Sequence, residues 1–178
     1  MNIQKRITEI LAAEAAAISA ICVNSEFERA LNALLVSPGK ILTTGMGKTG
    51  HVARKFASSL CSTGTPAVYL HPGEAAHGDL GLIDPKDCIV AFSTSGKTRE
   101  VIEMLEFGRH IGLGTVIGVT SHPGSELRRL SDIILDMGVV EEPCPHGLTP
   151  SSSIAVMLAI SDALTLVLME LKGITRQD

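Results

Sequence analysis

From Lys40 onward, five short apolar segments alternate with segments that have helical periodicity. The apolar segments are rich in β-branched residues and end at glycine, proline or aspartate. They comprise residues 41–44, 67–70, 88–93, 116–120 and 133–137, and the helical patterns cover residues 49–61, 98–111, 125–130 and 152–171. Apolar strands separated by helices indicate a parallel sheet covered on both faces, with right-handed crossovers. We therefore predict a three-layer, doubly wound α/β fold around a five-stranded parallel sheet.

Two further helical patterns precede this alternation, at residues 3–22 and 26–35. In the first, Ile7, Ile10 and Leu11 fall on one face. No internal repeat, low-complexity tract or linker divides the 178 residues, a length typical of one domain. We predict a single domain over residues 1–178, with an N-terminal helical preface at 1–38 and an α/β core at 39–178.

Composition excludes several classes of partner. The formal net charge is −4, and lysine and arginine are scattered singly, so no basic stripe is available for nucleic acid. Aromatic residues make up 3% of the chain and tryptophan is absent, which argues against a stacking platform. The cysteines are far apart and form no C-x-x-C pair, which predicts reduced, buried thiols in a cytoplasmic protein. They are Cys22, Cys61, Cys88 and Cys144.

Two segments raise the question of a membrane. Glu9 and Glu14 interrupt the alanine-rich N-terminal segment, which predicts a helix of the mature protein rather than a secretion signal. Residues 152–171 are strongly apolar, but Asp162 lies at their middle beside Ser161. A carboxylate there would be costly in a bilayer, so we predict a buried helix and no membrane partner.

In doubly wound sheets, ligands bind outside the carboxyl ends of the strands. The first strand leads into "GMGKTG" at residues 45–50. A P-loop is excluded because its spacing needs glycine where this chain has Leu42. A dinucleotide fingerprint needs an acidic residue ending the next strand, and the only candidate, Glu74, lies beyond it. In the third interpretation, Gly45 and Gly47 let the backbone approach a ligand while Lys48 reaches over it.

The second strand leads into "HPGEAAHGDLG". His71, Glu74 and His77 could serve as acid and base groups, because histidine titrates near neutrality and carboxylates orient it. The alternative is that these polar side chains cap a short helical turn. A zinc site would need both histidines to converge with a third ligand, and no His-x-x-x-His pattern supports one, so we predict no metal.

The third strand leads into "STSGKTREV", where Ser93, Ser95 and Thr98 surround a glycine at the start of a helix. Hydroxyls, backbone N–H groups and the helix dipole together favour an anion, and a phosphate monoester fits. The alternative is an ordinary helix cap with spare serines. Glu100 follows in the first helical turn, within reach of a substrate anchored there, although a carboxylate at a helix N-terminus needs no function. The loop "EEPCPHGLTPSSS" ends in serines that add donors or cap the last helix.

Four stretches together resemble the sugar isomerase (SIS) domain, and most closely the D-arabinose 5-phosphate isomerases. They are "GMGKTGHVARKFASSL", "STGTPAVYLHPGEAAHGDLG", "STSGKTRE" and "CPHGLTPSSSIAVMLAISDAL". The resemblance covers residues 40–173 and implies a flavodoxin-like SIS fold and a homotetramer with sites near subunit boundaries. It also implies interconversion of D-arabinose 5-phosphate and D-ribulose 5-phosphate without a cofactor, feeding Kdo synthesis for lipopolysaccharide or capsule.

The resemblance also implies roles for individual residues. Ser93, Ser95 and Thr98 match the S-x-S-G-x-T sequence that binds the sugar phosphate, and Ser152 is a further candidate. Lys48, His77 and Glu100 match positions implicated in catalysis. We expect Glu100 to transfer the carbon proton, His77 to serve ring opening or oxygen protons, and Lys48 to stabilise negative charge.

Two departures from the family pattern affect this interpretation. The isomerases normally continue into an "HPGG" segment and paired CBS domains, whereas this sequence stops at Asp178. We therefore expect either an excised domain or an altered activity. The chain also has three serines at residues 151–153 where many members have Thr-Ser-Ser. The alternatives are a non-catalytic SIS module that binds a sugar phosphate or nucleotide sugar, a 6-phospho-3-hexuloisomerase and, more distantly, an NAD-dependent dehydrogenase.

Overall fold

The computed structural model describes residues 1–175. Its elements, in chain order, are as follows: α1 Ile3–Ser19, α2 Ser25–Val36, β1 Ile41–Gly45, α3 Lys48–Ser62, β2 Ala67–Tyr69, α4 Pro72–Ala75, a 3₁₀ turn Asp79–Leu82, β3 Cys88–Phe92, α5 Arg99–His110, β4 Val116–Thr120, α6 Glu126–Leu130, β5 Ile133–Asp136 and α7 Ser152–Leu171. The last three residues of the predicted core, 176–178, lie outside the described residues.

All five strands are parallel and lie in the order β2-β1-β3-β4-β5. Strand side chains alternate between two apolar clusters, so that Val90 and Phe92 face one cluster and Ile89 and Ala91 face the other. The first cluster is completed by α2, α3 and α7, and the second by α4, α5 and α6. The prediction of a three-layer, doubly wound fold is therefore confirmed.

The first helix ends earlier than the predicted residue 22. It stops at Ser19, and a short link leads to Asn24, whose side chain accepts a hydrogen bond from the Glu26 N–H and begins α2. Helix α1 packs against α7 but buries none of its side chains, and Ile7 and Leu11 are exposed. Part of its apolar face, including Ile7 and Leu11, is therefore left open within this chain.

Helix α7 covers the predicted residues but is buried on one face rather than throughout. Leu166 and Leu171 are exposed on its outer side. Asp162 forms an ion pair with Lys55 of α3, which accounts for a carboxylate within an apolar helix. By length and composition alone, α7 is the one helix of residues 1–175 that could span a membrane, a test that core helices of soluble proteins also pass.

The cysteine prediction is wrong in part. All four thiols are free, but only Cys88 is buried, because it belongs to the central strand β3. Cys22 is exposed in the link after α1, Cys61 is exposed on α3, and Cys144 is partly buried in the loop before α7. Cys22 and Cys144 lie in connecting segments rather than in elements, and the apolar surroundings of Cys61 in the sequence did not show that it occupies the outer face of α3.

Candidate functional site

The candidate site lies where β1 and β3 run side by side and their following connections diverge. From β1 the chain crosses to β2 at the sheet edge, whereas from β3 it crosses to β4 on the other side. Such a switch point opens a crevice at the carboxyl ends of the two strands. Lys48 begins the helix after β1, and the loop of residues 93–98 follows β3, so both segments start at this edge.

The glycines of the "GMGKTG" turn have different roles. A side chain at Gly45 would lie 2.8 Å from the Thr49 carbonyl oxygen, and one at Gly50 would lie 2.7 Å from the Gly45 carbonyl oxygen. These two glycines therefore allow β1 and α3 to pack closely. Gly47 has φ of +60° with open space around it, so it is the glycine at which a ligand could approach the backbone. Lys48, which follows, is exposed.

The hydroxyl groups of the β3–α5 loop form a connected set. The Ser93 and Thr98 hydroxyl oxygens lie 2.8 Å apart, and the Gly96 N–H donates to the Ser93 hydroxyl at 3.0 Å. Ser93 is buried, whereas Ser95 is exposed and accepts from the Lys97 N–H at 3.2 Å. The loop is thus a compact turn with one inner and one outer serine, in which the Ser93 and Thr98 hydroxyls contact each other.

The N-terminus of α5 is left without a side-chain cap. Thr98 occupies the cap position, but its hydroxyl contacts Ser93 instead of the first helical N–H groups. Within residues 1–175, no other side chain caps this helix. Uncapped N–H groups and the positive end of the helix dipole make a site for an anion. This geometry argues against the alternative of an ordinary helix cap.

The structure brings Glu100 close to the histidine-containing segment. Helix α4 packs against α5, and Glu100 shares a cavity of about 90 Å³ with Gly73, Ala76 and Met104. His77 follows Ala76 directly and is exposed in the turn after α4. The carboxylate of Glu100 and the start of that turn therefore line the same space.

His71 has a structural role in addition to its predicted one. Its Nδ1 accepts a hydrogen bond from the Glu74 N–H at 3.3 Å and caps α4, a short helix that the sequence interpretation offered as an alternative. Glu74 itself is exposed in the first turn of α4. No three His, Cys, Asp or Glu side chains within residues 1–175 converge as metal ligands. Substrate binding by His71 and Glu74 stays a prediction.

Glu142 is a residue of this edge that the sequence interpretation missed. Its carboxylate accepts the backbone N–H groups of Ser151, Ser152 and Ser153 at 2.8, 2.9 and 3.1 Å, and so caps α7 from outside the helix. Burial alone would raise the pKa of Glu142. The hydrogen bonds from the Ser153 hydroxyl and from the three backbone groups outweigh burial and lower the pKa below its ordinary value.

Ser152 was predicted as a further phosphate ligand. It is fully buried, its N–H is bound to Glu142, and its hydroxyl has no hydrogen-bond partner among the described residues. Ser151 also has a buried hydroxyl without such a partner. A role for Ser152 in phosphate binding stays a prediction, and it requires the ligand to reach below the surface at α7.

A groove beside the loop is a separate feature from the candidate anion site. The groove, of about 440 Å³ between α5 and α6, contains Lys97, Arg99 and Arg129. Arg99 is paired with Glu103 at 2.6 Å and Arg129 with Glu126 at 3.7 Å, and Glu106 also lines the groove, so three carboxylates balance its three cations. We therefore expect an anion to bind at the loop rather than in this groove.

These features define a class: doubly wound α/β proteins with a hydroxyl-rich loop and an uncapped helix N-terminus at the switch point. The SIS domain profile matches residues 34–167 of this chain. The chain belongs to the SIS domain family.

Among known proteins, the chain is similar to enzymes named arabinose 5-phosphate isomerase KdsD. The chain is 41% identical over 156 residues to arabinose 5-phosphate isomerase KdsD of Pseudomonas aeruginosa, covering 88% of this chain and 48% of that protein. It is 37% identical over 179 residues to KdsD of Escherichia coli K12, covering 99% and 54%. The chain thus spans about half the length of the curated relatives it matches.

Two solved structures are similar over nearly their whole length. One is Escherichia coli CFT073 c3406 in complex with arabinose 5-phosphate, with a TM-score of 0.94, 35% identity, and coverage of 100% of this chain and 97% of that chain. The other is a Bacteroides fragilis protein described as a phosphosugar isomerase involved in capsule formation, with a TM-score of 0.95, 38% identity, and coverage of 99% and 94%.

Proposed function

We propose that the protein is an arabinose 5-phosphate isomerase, which interconverts D-arabinose 5-phosphate and D-ribulose 5-phosphate through an enediol. The observation that carries the proposal is the uncapped N-terminus of α5 behind the hydroxyl-rich loop, a site suited to a phosphate monoester. The choice of sugar is supported by identities of 37–41% to KdsD proteins and by the likeness to a protein in complex with arabinose 5-phosphate.

In this proposal, Ser93, Ser95 and Thr98 bind the phosphate through their hydroxyls and the surrounding N–H groups, with Ser152 as a further donor. The bound phosphate anchors the substrate at the carboxyl edge of the sheet. The sugar then extends toward the cavity that Glu100 lines. Gly45, Gly47, His71 and Glu74 shape the site around the sugar.

The reaction moves a proton between C1 and C2. Glu100 removes the proton from C2 of the aldose and returns it to C1 of the enediol, while His77 carries protons between the two oxygens and assists ring opening. Lys48, at the start of α3, stabilises the negative charge that develops on the enediolate oxygen. The reaction requires no cofactor or metal in this scheme, because proton transfers alone interconvert the two sugars.

We also propose that the protein acts in the cytoplasm as a homotetramer and that the whole chain forms one SIS domain. The interconversion of the two sugar phosphates then feeds Kdo synthesis. The protein needs no nucleic-acid or membrane partner. Assembly is supported by the open apolar face of α1 and by a groove of about 320 Å³ between Phe27, Leu31 and Val167. The Kdo pathway is supported by the KdsD relatives.

Light scattering tests the assembly. We expect Ile7→Glu combined with Leu11→Glu to lower the molar mass in solution, because both side chains are exposed on α1. The control is Val139→Glu, since Val139 is 94% exposed and lies outside that helix. A monomeric wild-type protein would contradict the proposal.

The proposed roles are tested by turnover of D-arabinose 5-phosphate. We expect Glu100→Gln and His77→Ala each to lower kcat by at least about 100-fold. Glu106→Gln is the matched control, because Glu106 is an exposed carboxylate further along the same helix. Ordinary turnover in both Glu100→Gln and His77→Ala proteins would remove the basis of the mechanism. Substrate binding without turnover in the wild type would indicate either an excised domain of the enzyme or a non-catalytic SIS module.

A further inference from the structure

We infer that Thr120 and Ser121, at the end of β4, are positioning residues that aim the backbone N–H groups of the β3–α5 loop at the phosphate. The inference rests on the proposed function and assigns to these residues no contact with substrate. It follows from the hydrogen bonds that hold two carbonyl groups of the loop.

The Thr94 carbonyl oxygen accepts three hydrogen bonds from the end of β4. The Ser121 N–H donates at 3.1 Å, the Ser121 hydroxyl at 3.0 Å and the Thr120 hydroxyl at 3.1 Å. A carbonyl oxygen has two lone pairs, so three donors exceed the usual number. The direction of this carbonyl is therefore fixed strongly toward β4.

A second carbonyl of the loop is held from the same side. The Gly96 carbonyl oxygen accepts the Leu127 N–H at 3.0 Å from the first turn of α6. Gly96 has φ of +61°, and a side chain there would lie 2.3 Å from the Ser125 hydroxyl and 2.9 Å from the Thr120 hydroxyl. The loop therefore rests directly on these hydroxyls, with no room for a side chain between them.

Peptide geometry turns these contacts into a direction for the N–H groups. Each peptide bond is trans and planar, so its N–H points opposite to its C=O. The Thr94 carbonyl belongs to the same peptide unit as the Ser95 N–H, and the Gly96 carbonyl to the same unit as the Lys97 N–H. Holding both carbonyls toward β4 and α6 consequently aims both N–H groups to the opposite side of the loop.

This orientation of the N–H groups favours the binding of an anion on the side of the loop that faces away from β4 and α6. Carbonyl oxygens facing a phosphate would repel it, whereas N–H groups facing it stabilise its charge. The Lys97 N–H already meets the exposed Ser95 hydroxyl on that side. Thr120 is fully buried, so its hydroxyl cannot reach solvent and acts through the loop carbonyl.

Binding of two probes, inorganic phosphate and D-arabinose 5-phosphate, tests the inference by calorimetry. We expect the Thr120→Val, Ser121→Ala double variant to raise both dissociation constants about tenfold, the effect of losing one to two hydrogen bonds. KM should rise by a similar factor while kcat changes less than threefold, because neither residue contacts the reacting carbons. Among single variants at residue 120, Thr120→Val should weaken binding. Thr120→Ser, which keeps the hydroxyl, should bind both probes as the wild type does.

The matched control is Thr165→Val. Thr165 is also a buried threonine whose hydroxyl donates to a carbonyl, that of Ser161 at 2.8 Å, but it lies within α7. We expect it to lose stability and to keep both dissociation constants. The inference is overturned if the double variant binds both probes as the wild type does, or if Thr165→Val weakens binding equally. A wild type that binds neither probe would instead overturn the proposed function, and the inference with it.

Discussion

The hydroxyl oxygens of Ser93 and Thr98 lie 2.8 Å apart across the turn from β3 to α5, and neither caps the helix. We expect Ser93→Ala and Thr98→Val each to raise the dissociation constant of inorganic phosphate about tenfold, because each removes a hydroxyl donor. The two effects should not add in the double variant, since the hydroxyls contact each other.

Calorimetric titration with inorganic phosphate measures these effects. Ser161→Ala is the control, because Ser161 is a buried serine whose hydroxyl donates to the Leu158 carbonyl within α7. Unchanged phosphate affinity in both single variants would place the anion elsewhere.

Glu142 should make stability depend on pH. Its pKa is lowered in the folded protein from an ordinary value of 4.5, so its contribution is complete above about pH 4.5 and is lost as the pH falls through the folded value. We expect Glu142→Gln to lower the free energy of unfolding by about 1 kcal/mol at pH 7. The difference from the wild type should shrink under acid conditions.

Urea unfolding at a series of pH values measures this difference. Glu141→Gln is the matched control, because Glu141 is the exposed neighbour. If Glu142→Gln lowers the free energy of unfolding by the same amount below the folded pKa of Glu142, hydrogen bonding of the charged carboxylate is not the source of that difference.

Cys144 should be the reactive thiol near neutral pH. The backbone N–H groups of His146, Thr149 and Leu148 lower the pKa of Cys144 to about 7, whereas burial raises the pKa of Cys88 to about 12. We expect the rate of iodoacetamide labelling at Cys144 to rise with a midpoint near pH 7, while Cys88 stays unlabelled in the folded protein. Peptide mapping by mass spectrometry follows each site separately. A midpoint above about pH 8.5, the value of an ordinary thiol, would contradict the proposed thiolate contacts of Cys144.

Gly50 should be intolerant of even one added carbon. Alanine usually stabilises a helix relative to glycine by about 1 kcal/mol, but a methyl group here would lie 2.7 Å from the Gly45 carbonyl oxygen and 2.9 Å from the Tyr69 hydroxyl. We expect Gly50→Ala to lower the free energy of unfolding by about 1–3 kcal/mol. Thermal unfolding compares it with Gly124→Ala, where the added carbon has nothing within 4 Å. Equal stability of the two variants would contradict the close packing of β1 and α3.

The fold could be predicted because each β-rich segment is apolar on both faces and each helix is periodic. The sheet and its covering helices follow from that pattern. The end of α1 was misplaced by about three residues, because the stop depends on Asn24 beginning the next helix through a side-chain hydrogen bond. Cys61 is exposed because it lies on the outer face of α3, and Cys22 and Cys144 are not buried because they lie in connecting segments, neither of which the spacing of the cysteines indicated.

The part of the candidate site that follows β3 could be predicted from local sequence. Ser93, Thr98 and Glu100 follow the end of one strand closely, so local sequence indicates their proximity. Glu142 was missed because its partners lie 9 to 11 residues later and are backbone N–H groups, which every residue except proline carries. The one available signal was an acidic pair preceding a serine-rich helix start, where a carboxylate can cap from a distance.

Proton NMR of the protein with D-arabinose 5-phosphate in D₂O tests the proposed proton transfer directly. We expect formation of D-ribulose 5-phosphate together with incorporation of deuterium from solvent at C2 of the recovered aldose, because the proton removed by Glu100 exchanges with solvent. An unchanged sugar with its C2 proton retained, at protein concentrations that bind the substrate, would contradict the proposed isomerase activity.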